Sequence, residues 1–259
     1  MDFVLKEENG FSYIDEGEGE VLLLLHGLMG ALSNWEMVIN EFKKDYRIII
    51  PILPIYDLPL LTTGVKTLAK HVHRFVTYMG LSDFVLLGNS LGGHVGLIYC
   101  LNHQHTLKSL VLTGSSGLYE NAFGGSFPRR ESYDFVKEKV EYTFYDPNTA
   151  TKELVDDVFK TINDRNRVIR ILAMAKSAIR HNMSKELHKI YIPVSLIWGR
   201  NDKITPPAVA IEFNQLLPHS ELHWIDHCGH AAMMEQPVEF NRLLREFLEK
   251  DKIKDKIKV

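Results

Sequence analysis

The sequence is poor in cysteine, because only Cys100 and Cys228 occur among its 259 residues. Two cysteines are too few for the disulfide framework of a small secreted protein, and they fit a reducing compartment. Residues 1–8 also lack the basic and apolar stretches of a secretory signal. We therefore predict a cytoplasmic protein.

The sequence also lacks an excess of positive charge and any long apolar run. Lys and Arg number 30 against 33 Asp and Glu, a formal net charge of −3. Nucleic-acid partners favour basic surfaces, so we expect none. The early apolar run at residues 21–25 is far shorter than the ~20 residues of a membrane helix, so no membrane partner is expected either. We expect a small-molecule substrate, and no sequence signal indicates the oligomeric state.

Short apolar runs alternate with amphipathic segments along most of the chain. Asn9-Gly10 is typical of a two-residue turn and predicts an opening hairpin. Buried strands are predicted at residues 21–25, 47–53, 84–87, 107–113, 194–198 and 220–225. Helices are predicted at residues 33–44, 65–79, 91–103, about 206–217 and about 237–249. This alternation predicts an α/β fold, a mostly parallel sheet with helices on both faces.

The alternation breaks at residues 121–189, where three or four charged, helix-patterned stretches occur without a convincing strand. Gly124-Gly125 marks the entrance to this region and Pro193 marks the return to the sheet, since glycine and proline punctuate element boundaries. We predict a core of residues 1–120 and 190–259, with residues 121–189 inserted as a helical cap.

Gly88-Asn89-Ser90-Leu91-Gly92 matches the pattern G-x-S-x-G between a predicted strand and a predicted helix. A serine at such a sharp turn is held in a strained, exposed position, and small neighbours let the strand and the helix approach closely. The alternative is a glycine-rich turn with an incidental serine, but the flanking elements argue against it. We predict that Ser90 is a nucleophile.

A serine hydroxyl needs a nearby base and a group that orients the base. His230 lies in the loop between the last predicted strand and the last predicted helix, which should open on the same sheet edge as Ser90. Asp202 follows the preceding strand and can accept the Nδ1 proton of His230. Asp226 is nearer to His230 in sequence and is the reserve candidate for the acid.

A second glycine-containing turn, H-G-x-x-G from His26, ends an apolar strand and precedes a predicted helix. Attack on a carbonyl creates an oxyanion that needs two fixed hydrogen-bond donors. The backbone amides of Leu28 and Leu91 are the candidate donors by motif position. Gly27 and Asn89, beside these amides, are the candidate substrate-binding residues.

Neither the cysteines nor the histidines predict a metal site. Cys228 is close to His230, but a buried loop cysteine is a simpler interpretation than a thiol nucleophile or a metal ligand. His71 and His73 are two residues apart, which separates their side chains around a helix.

The order of these motifs, from His26-Gly27 through Ser90 to Asp202 and His230, resembles the α/β-hydrolase family over nearly the whole chain. Nucleophile, acid and histidine follow one another in the order typical of that family. The resemblance implies an eight-stranded sheet with a helical cap, a Ser90-Asp202-His230 triad, and a hydrolase that requires no metal or organic cofactor.

Asn89 before the serine is similar to the meta-cleavage-product hydrolases, which cut carbon–carbon bonds of dienoic ring-fission products. Those enzymes usually have Trp after the catalytic histidine and a pocket Arg in the cap, whereas Ala231 follows His230 here. We therefore expect a serine hydrolase of small carboxylic esters or related acyl compounds, acting through an acyl-enzyme. Carbon–carbon hydrolysis, and a non-catalytic ligand-sensing role on the same fold, are the alternatives.

Overall fold

Residues 3–29, 35–121 and 129–257 are described by the computed structural model of the chain. They form one eight-stranded sheet, whose strands are β1 (Lys6–Glu8), β2 (Phe11–Glu16), β3 (Glu20–Leu25), β4 (Tyr46–Pro51), β5 (Phe84–Asn89), β6 (Leu107–Thr113), β7 (Val194–Gly199) and β8 (Ser220–Ile225). Their order is β1-β2-β4-β3-β5-β6-β7-β8. β2 is antiparallel to β1 and to β4, and the other neighbours are parallel. The predicted mostly parallel sheet is confirmed.

The first two strands form a tight hairpin. Asn9 and Gly10 adopt positive φ angles of 50° and 77°, and Glu8 pairs with Phe11 across the turn. Positive φ at both central residues is what the preferred two-residue hairpin turn requires. Asn and Gly tolerate this conformation, so the local sequence determines the register of the hairpin.

Helices pack on both faces of the sheet. They are α1 (Glu36–Phe42), α2 (Val65–Tyr78), α3 (Leu91–His103), α4 (Tyr133–Glu141), α5 (Lys152–Asn163), α6 (Arg165–Arg180), α7 (Pro207–Leu216), α8 (Ala232–Glu235) and α9 (Pro237–Ile257). The predicted start of the first helix, at residue 33, lies outside the described residues. α9 continues well past its predicted end at about residue 249. Within the described part of the chain, no helix combines the length and the apolarity needed to cross a membrane.

Each face of the sheet has its own hydrophobic core. In β3, Leu22 and Leu24 belong to a cluster with residues of α1 and α9, whereas Leu23 and Leu25 belong to a cluster with residues of α2 and α3. All four leucines are buried. Alternate residues of a strand point to opposite faces, so a strand covered on both sides appears in the sequence as a continuous apolar run.

Residues 129–193, before β7, carry α4, α5 and α6, which pack on one another in turn. Two hydrogen bonds join α6 to the start of α2 and to the loop before it. Arg170 Nε donates to Leu58 O at 2.9 Å, and Val65 N at the start of α2 donates to Ser177 Oγ at 3.2 Å. These contacts hold α6 beside the loop that precedes α2.

The division into a core of residues 1–120 and 190–259 and a cap of residues 121–189 stays a prediction. Gly124 and Gly125, at the predicted entrance to the cap, lie outside the described residues. From residue 129 to β7, the described chain contains helices and turns without a strand, in keeping with its charged, helical pattern.

The central strands are parallel, so their carboxyl ends meet at one edge of the sheet. His26 follows β3, Ser90 follows β5, Asp202 follows β7 and His230 follows β8. Residues distant in sequence therefore come together at this edge, which is where open α/β sheets usually bind their ligands.

Candidate active site

Ser90 occupies a strained turn between β5 and α3. Its φ of 54° and ψ of −120° form a combination that residues other than glycine rarely adopt. Ser90 N donates to Thr113 O at 3.2 Å, and Ser90 O accepts from His94 N and Ser116 N at 3.2 and 3.1 Å. These backbone bonds hold the strained turn in place, and Ser90 lines a cavity at the sheet edge.

Close packing of α3 against the sheet explains two glycines of this turn. A Cβ at Gly92 would overlap the backbone carbonyl of Leu25, and a Cβ at Gly88 would lie only 2.6 Å from Gly92 O. Any side chain at these positions would push the helix away from the sheet and displace Ser90. The two glycines of the G-x-S-x-G pattern are therefore a packing requirement of the turn.

Asp202 and His230 form a buried hydrogen-bonded pair. His230 Nδ1 lies 2.9 Å from Asp202 Oδ2, and the two side chains are 8% and 0% exposed. Asp202 Oδ1 also accepts from Ile204 N and Thr205 N at 2.8 and 2.9 Å, and Oδ2 accepts from Thr205 Oγ1 at 2.8 Å. These donors stabilise the buried carboxylate and fix the imidazole with Nε2 directed away from Asp202.

Asp226, the reserve candidate for the acid, makes a different contact. Its Oδ1 lies 2.6 Å from Arg200 Nε, and its side chain is 70% exposed. Of the two aspartates, Asp202 is therefore the one in contact with His230.

The surroundings of His230 keep its pKa above the ordinary value. Burial alone lowers the pKa of the ring, but the charge of Asp202, the hydrogen bond to Asp202 and the charge of Glu120 together raise it by more. The same surroundings favour the imidazolium that forms when His230 accepts a proton.

Ser90 and His230 line the same cavity. A Cβ at Gly114, next to the Thr113 carbonyl that bonds Ser90, would lie 2.9 Å from His230 Nδ1, so the ring packs directly on the end of β6. Within the described residues, the Ser90 hydroxyl makes no hydrogen bond. Catalytic hydrogen bonds are often long in the free enzyme and shorten when substrate binds.

His26 holds the loop that carries Leu28. Its Nδ1 lies 2.8 Å from Gly27 O, and its Nε2 lies 3.0 Å from Leu53 N. Burial lowers the pKa of His26, so the ring is neutral, donating from Nδ1 and accepting at Nε2. Leu28 and Leu91 both line the cavity, and the amide of Leu91, at the first position of α3, has no acceptor within the helix.

Gly27 and Asn89 also line the cavity. A Cβ at Gly27 would lie 3.3 Å from Ser90 Cβ, so glycine lets this loop approach Ser90. Asn89 Nδ2 donates to Thr113 O at 3.0 Å and to His230 O at 3.3 Å. Asn89 thus ties the loop of His230 to the end of β6, while substrate contacts of Gly27 and Asn89 stay predictions.

The cavity in front of Ser90 has a volume of about 160 Å³ and mostly apolar walls. Helices α4 and α5 supply much of the wall, through Phe135, Val136, Val140, Leu154, Val158 and Ile162. Three titratable side chains of the described residues also line it, namely Glu120, Lys139 and His230. A small apolar group beside a carbonyl fits this cavity better than a large polar one.

Cys228 is buried beside His230. Burial raises the pKa of its thiol, and the charges of Glu235 and Asp202 raise it further. A thiol held protonated is a poor nucleophile and a poor metal ligand. Across the part of the chain that the structure describes, no three His, Cys, Asp or Glu side chains converge as metal ligands would.

Three further residues of the site are not among the predicted ones. Thr205 bonds Asp202, and its position three residues after an aspartate is typical of such side-chain turns. Glu235 accepts from Gly229 N at 2.5 Å, a contact with no sequence signal. Glu120 lines the cavity, and its place after β6, at the sheet edge that carries Ser90 and His230, is the signal that could have indicated it.

A family model for the alpha/beta hydrolase fold matches residues 20–182 and 170–237, which is most of the chain. The chain belongs to the alpha/beta hydrolase fold family. Both the predicted family and the prediction that the protein is a hydrolase are thereby confirmed.

Curated relatives of this alpha/beta hydrolase match it over nearly its whole length. The 2-hydroxy-6-oxo-6-(2'-aminophenyl)hexa-2,4-dienoic acid hydrolase of Metapseudomonas resinovorans is 29% identical over 91% of this chain and 86% of its own. The 2-hydroxy-6-oxononadienedioate/2-hydroxy-6-oxononatrienedioate hydrolase of Comamonas testosteroni is 26% identical over 95% of each chain.

Solved structures show the same fold. An alpha/beta hydrolase enzyme, MGS-MChE2, from the metagenome of lagoon sediments of Mar Chica, Morocco, is 44% identical with a TM-score of 0.80, over 96% of this chain and 99% of its own. A thermophilic esterase from Thermogutta terrifontis is 20% identical with a TM-score of 0.75, over 96% of this chain and 97% of its own. The second likeness concerns the fold alone.

Proposed function

We propose that this alpha/beta hydrolase is a serine hydrolase that cleaves small carboxylic esters or related acyl compounds through Ser90, His230 and Asp202. The buried Asp202–His230 pair carries the proposal, because it meets the strained Ser90 at one small, mostly apolar cavity. A buried carboxylate that fixes a histidine near a serine lining the same cavity is the arrangement that activates a hydroxyl for attack.

In this mechanism Ser90 Oγ attacks the ester carbonyl carbon while His230 Nε2 takes its proton. The backbone amides of Leu28 and Leu91 stabilise the oxyanion. The imidazolium then gives its proton to the departing alcohol oxygen, leaving an acyl group on Ser90. Water then attacks the acyl carbonyl while His230 takes one of its protons, and the imidazolium returns that proton to Ser90 Oγ as the acid is released. Asp202 stabilises the imidazolium at both stages.

Carbon–carbon hydrolysis is the second candidate, and the relatives favour it. Those from Metapseudomonas resinovorans and Comamonas testosteroni are named hydrolases of dienoic or related unsaturated acids. Such substrates carry a free carboxylate. The cavity is not lined by any of the cap arginines Arg165, Arg167, Arg170 and Arg180. Among the described lining residues, Lys139 is therefore the lysine or arginine that could bind a substrate carboxylate.

The test is one panel of p-nitrophenyl esters of increasing acyl length together with a ring-fission dienoate. We expect short esters to be preferred, because the cavity is small and apolar. Ser90→Ala should lower kcat by about 10⁴ or more. Ser82→Ala, an exposed serine before β5, serves as the matched control and should match the wild type.

Three results would change the conclusion. Esterase activity of Ser90→Ala near that of the wild type would contradict the mechanism. A kcat/KM for the dienoate far above that of every ester would establish the second candidate. Failure of a fluorophosphonate probe to label Ser90 in folded protein would favour the ligand-sensing alternative, in which the site binds without turnover.

A further inference from the structure

A carboxyl group lies in the cavity without a role in the mechanism above. Glu120 follows β6, is partly buried, and lines the cavity together with Ser90 and His230. Most of the surrounding wall is apolar, so Glu120 places a carboxyl group among mainly apolar side chains.

Glu120 is joined to the backbone of the nucleophile through a single residue. Ser116 Oγ donates a short hydrogen bond to Glu120 Oε2, and Ser116 N donates to Ser90 O at 3.1 Å. The carboxyl group is therefore held close to Ser90 and close enough to His230 for their charges to interact. A substrate carbonyl bound at Ser90 would bring its neighbouring groups near Glu120.

Among the residues that the structure describes, Glu120 has no lysine or arginine as an ion-pair partner. Lys139, which also lines the cavity, forms no ion pair with Glu120. Its Nζ instead lies over two aromatic rings, 5.5 Å from the ring centre of Phe135 and 5.8 Å from that of Tyr142. Burial raises the pKa of Glu120, whereas the Ser116 hydrogen bond and the charge of His230 lower it. The Ser116 hydroxyl supplies one donor to this carboxylate, and a cation beside it would stabilise the charge further in an apolar cavity.

We propose that Glu120 is a specificity-determining residue that makes this site favour esters bearing a cationic group and oppose esters bearing a free carboxylate. The inference rests on the proposed ester hydrolysis at Ser90. A substrate cation would supply the missing partner of Glu120, whereas a substrate carboxylate would add a second negative charge to the same cavity.

The experiment compares kcat/KM at pH 8 for p-nitrophenyl esters of similar length but different charge. They are the neutral pentanoate, the anionic mono-glutarate, the cationic 4-(trimethylammonio)butanoate and its neutral isostere, 5,5-dimethylhexanoate. The wild type should prefer the cationic ester over its isostere and the pentanoate over the glutarate. Glu120→Gln, which keeps the shape and the acceptor for Ser116, should reduce each preference on the order of tenfold.

Two variants separate the charge of Glu120 from other effects. Glu138→Gln removes the same charge from an exposed position of α4 and should keep both wild-type preferences. If Lys139 instead binds substrate carboxylates, the wild type will prefer the glutarate and Lys139→Gln will remove that preference. That result would overturn the proposal, as would ratios for Glu120→Gln within twofold of the wild type.

Equilibrium binding tests the same inference without turnover. Butyltrimethylammonium should bind Ser90→Ala protein about tenfold more tightly than protein with both Ser90→Ala and Glu120→Gln, and pentanoate should show the opposite order. Equal affinities would overturn the role of Glu120. The proposed mechanism is tested by the loss of ester hydrolysis in Ser90→Ala, and the role of Glu120 is tested by these binding affinities. Failure of the mechanism and failure of the specificity role therefore give different results.

Discussion

Asp202 is stabilised before any substrate binds. Its carboxylate accepts from Ile204 N, Thr205 N and Thr205 Oγ1 as well as contacting His230 Nδ1. Donors fixed in this way hold the charge in a buried position without rearrangement during the reaction. The carboxylate can therefore keep the His230 ring in one orientation.

Replacement of Asp202 by Asn should lower kcat/KM for p-nitrophenyl butanoate by about 10⁴, because the amide stabilises neither the required tautomer nor the imidazolium. Asp226→Asn removes the exposed carboxylate that pairs with Arg200 and should leave kcat/KM within twofold of the wild type. Equal losses in the two variants would mean that the acid is misidentified.

The pH dependence of kcat/KM should report the ionisation of His230. Its pKa is raised in the folded protein, and the base must be neutral, so kcat/KM should fall as pH decreases through a midpoint above about 6.5. In Asp202→Asn the effect of burial remains while the charge that raises the pKa is lost, so the midpoint of the residual activity should move down. An unchanged midpoint in that variant would contradict this account.

At the level of elements, the turn after β5 depends on how closely α3 approaches the sheet. Gly92 faces the carbonyl of Leu25 in β3, whereas Gly96, one turn later in α3, would place a Cβ at an ordinary 3.4 Å from Leu86 Cδ2. The two glycines share a helix but differ in the space around them.

Gly92→Ala should lower the free energy of unfolding by about 3 kcal/mol, because the new methyl group meets backbone that cannot move away. Gly96→Ala should change it by no more than about 1 kcal/mol, since alanine is the better helix former and its Cβ fits. Urea unfolding of the two variants measures the difference, and comparable midpoints would contradict the packing argument.

The strands and the long helices could be predicted because their signals are local. Buried runs such as residues 21–25 identify strands, and Asn9-Gly10 identifies the hairpin turn. The single turn α8 is too short to show a helical period, and α9 extends into a lysine-rich stretch with few apolar residues. The place of Glu120 after β6 puts it at the sheet edge of the predicted site, but its approach to His230 could not be predicted, because His230 is distant in sequence and only the fold brings it near.

At the scale of the whole molecule, the segment that carries α4, α5 and α6 contacts the loop of His230. In sequence, this segment lies between Ser90 and the other two proposed catalytic residues, Asp202 and His230. His230 N donates to Thr143 O at 2.9 Å. Glu235 accepts from Gly229 N at 2.5 Å and from Asp146 N at 2.6 Å. The position of His230, the proposed general base, is therefore coupled to the segment that forms much of the cavity wall.

Glu235→Ala should weaken this junction. Loss of two hydrogen bonds to a charged acceptor should lower the free energy of unfolding by about 3 kcal/mol, and displacement of His230 should reduce kcat by about tenfold or more with a smaller change in KM. Glu239→Ala, which removes an exposed ion pair with Arg242, should cost no more than about 1 kcal/mol and spare kcat. Similar kinetics for the two variants would show that the junction does not position the base.

Burial of both cysteines should make the native protein unreactive toward thiol reagents. Burial raises the pKa of Cys100 to about 12, and the pKa of Cys228 is also raised. Ellman's reagent should therefore titrate neither thiol until the protein is unfolded, and prompt reaction in native protein would contradict their burial. A fluorophore attached through Glu138→Cys would then label α4 alone, so movement of the cavity wall during turnover could be followed without first removing any native cysteine.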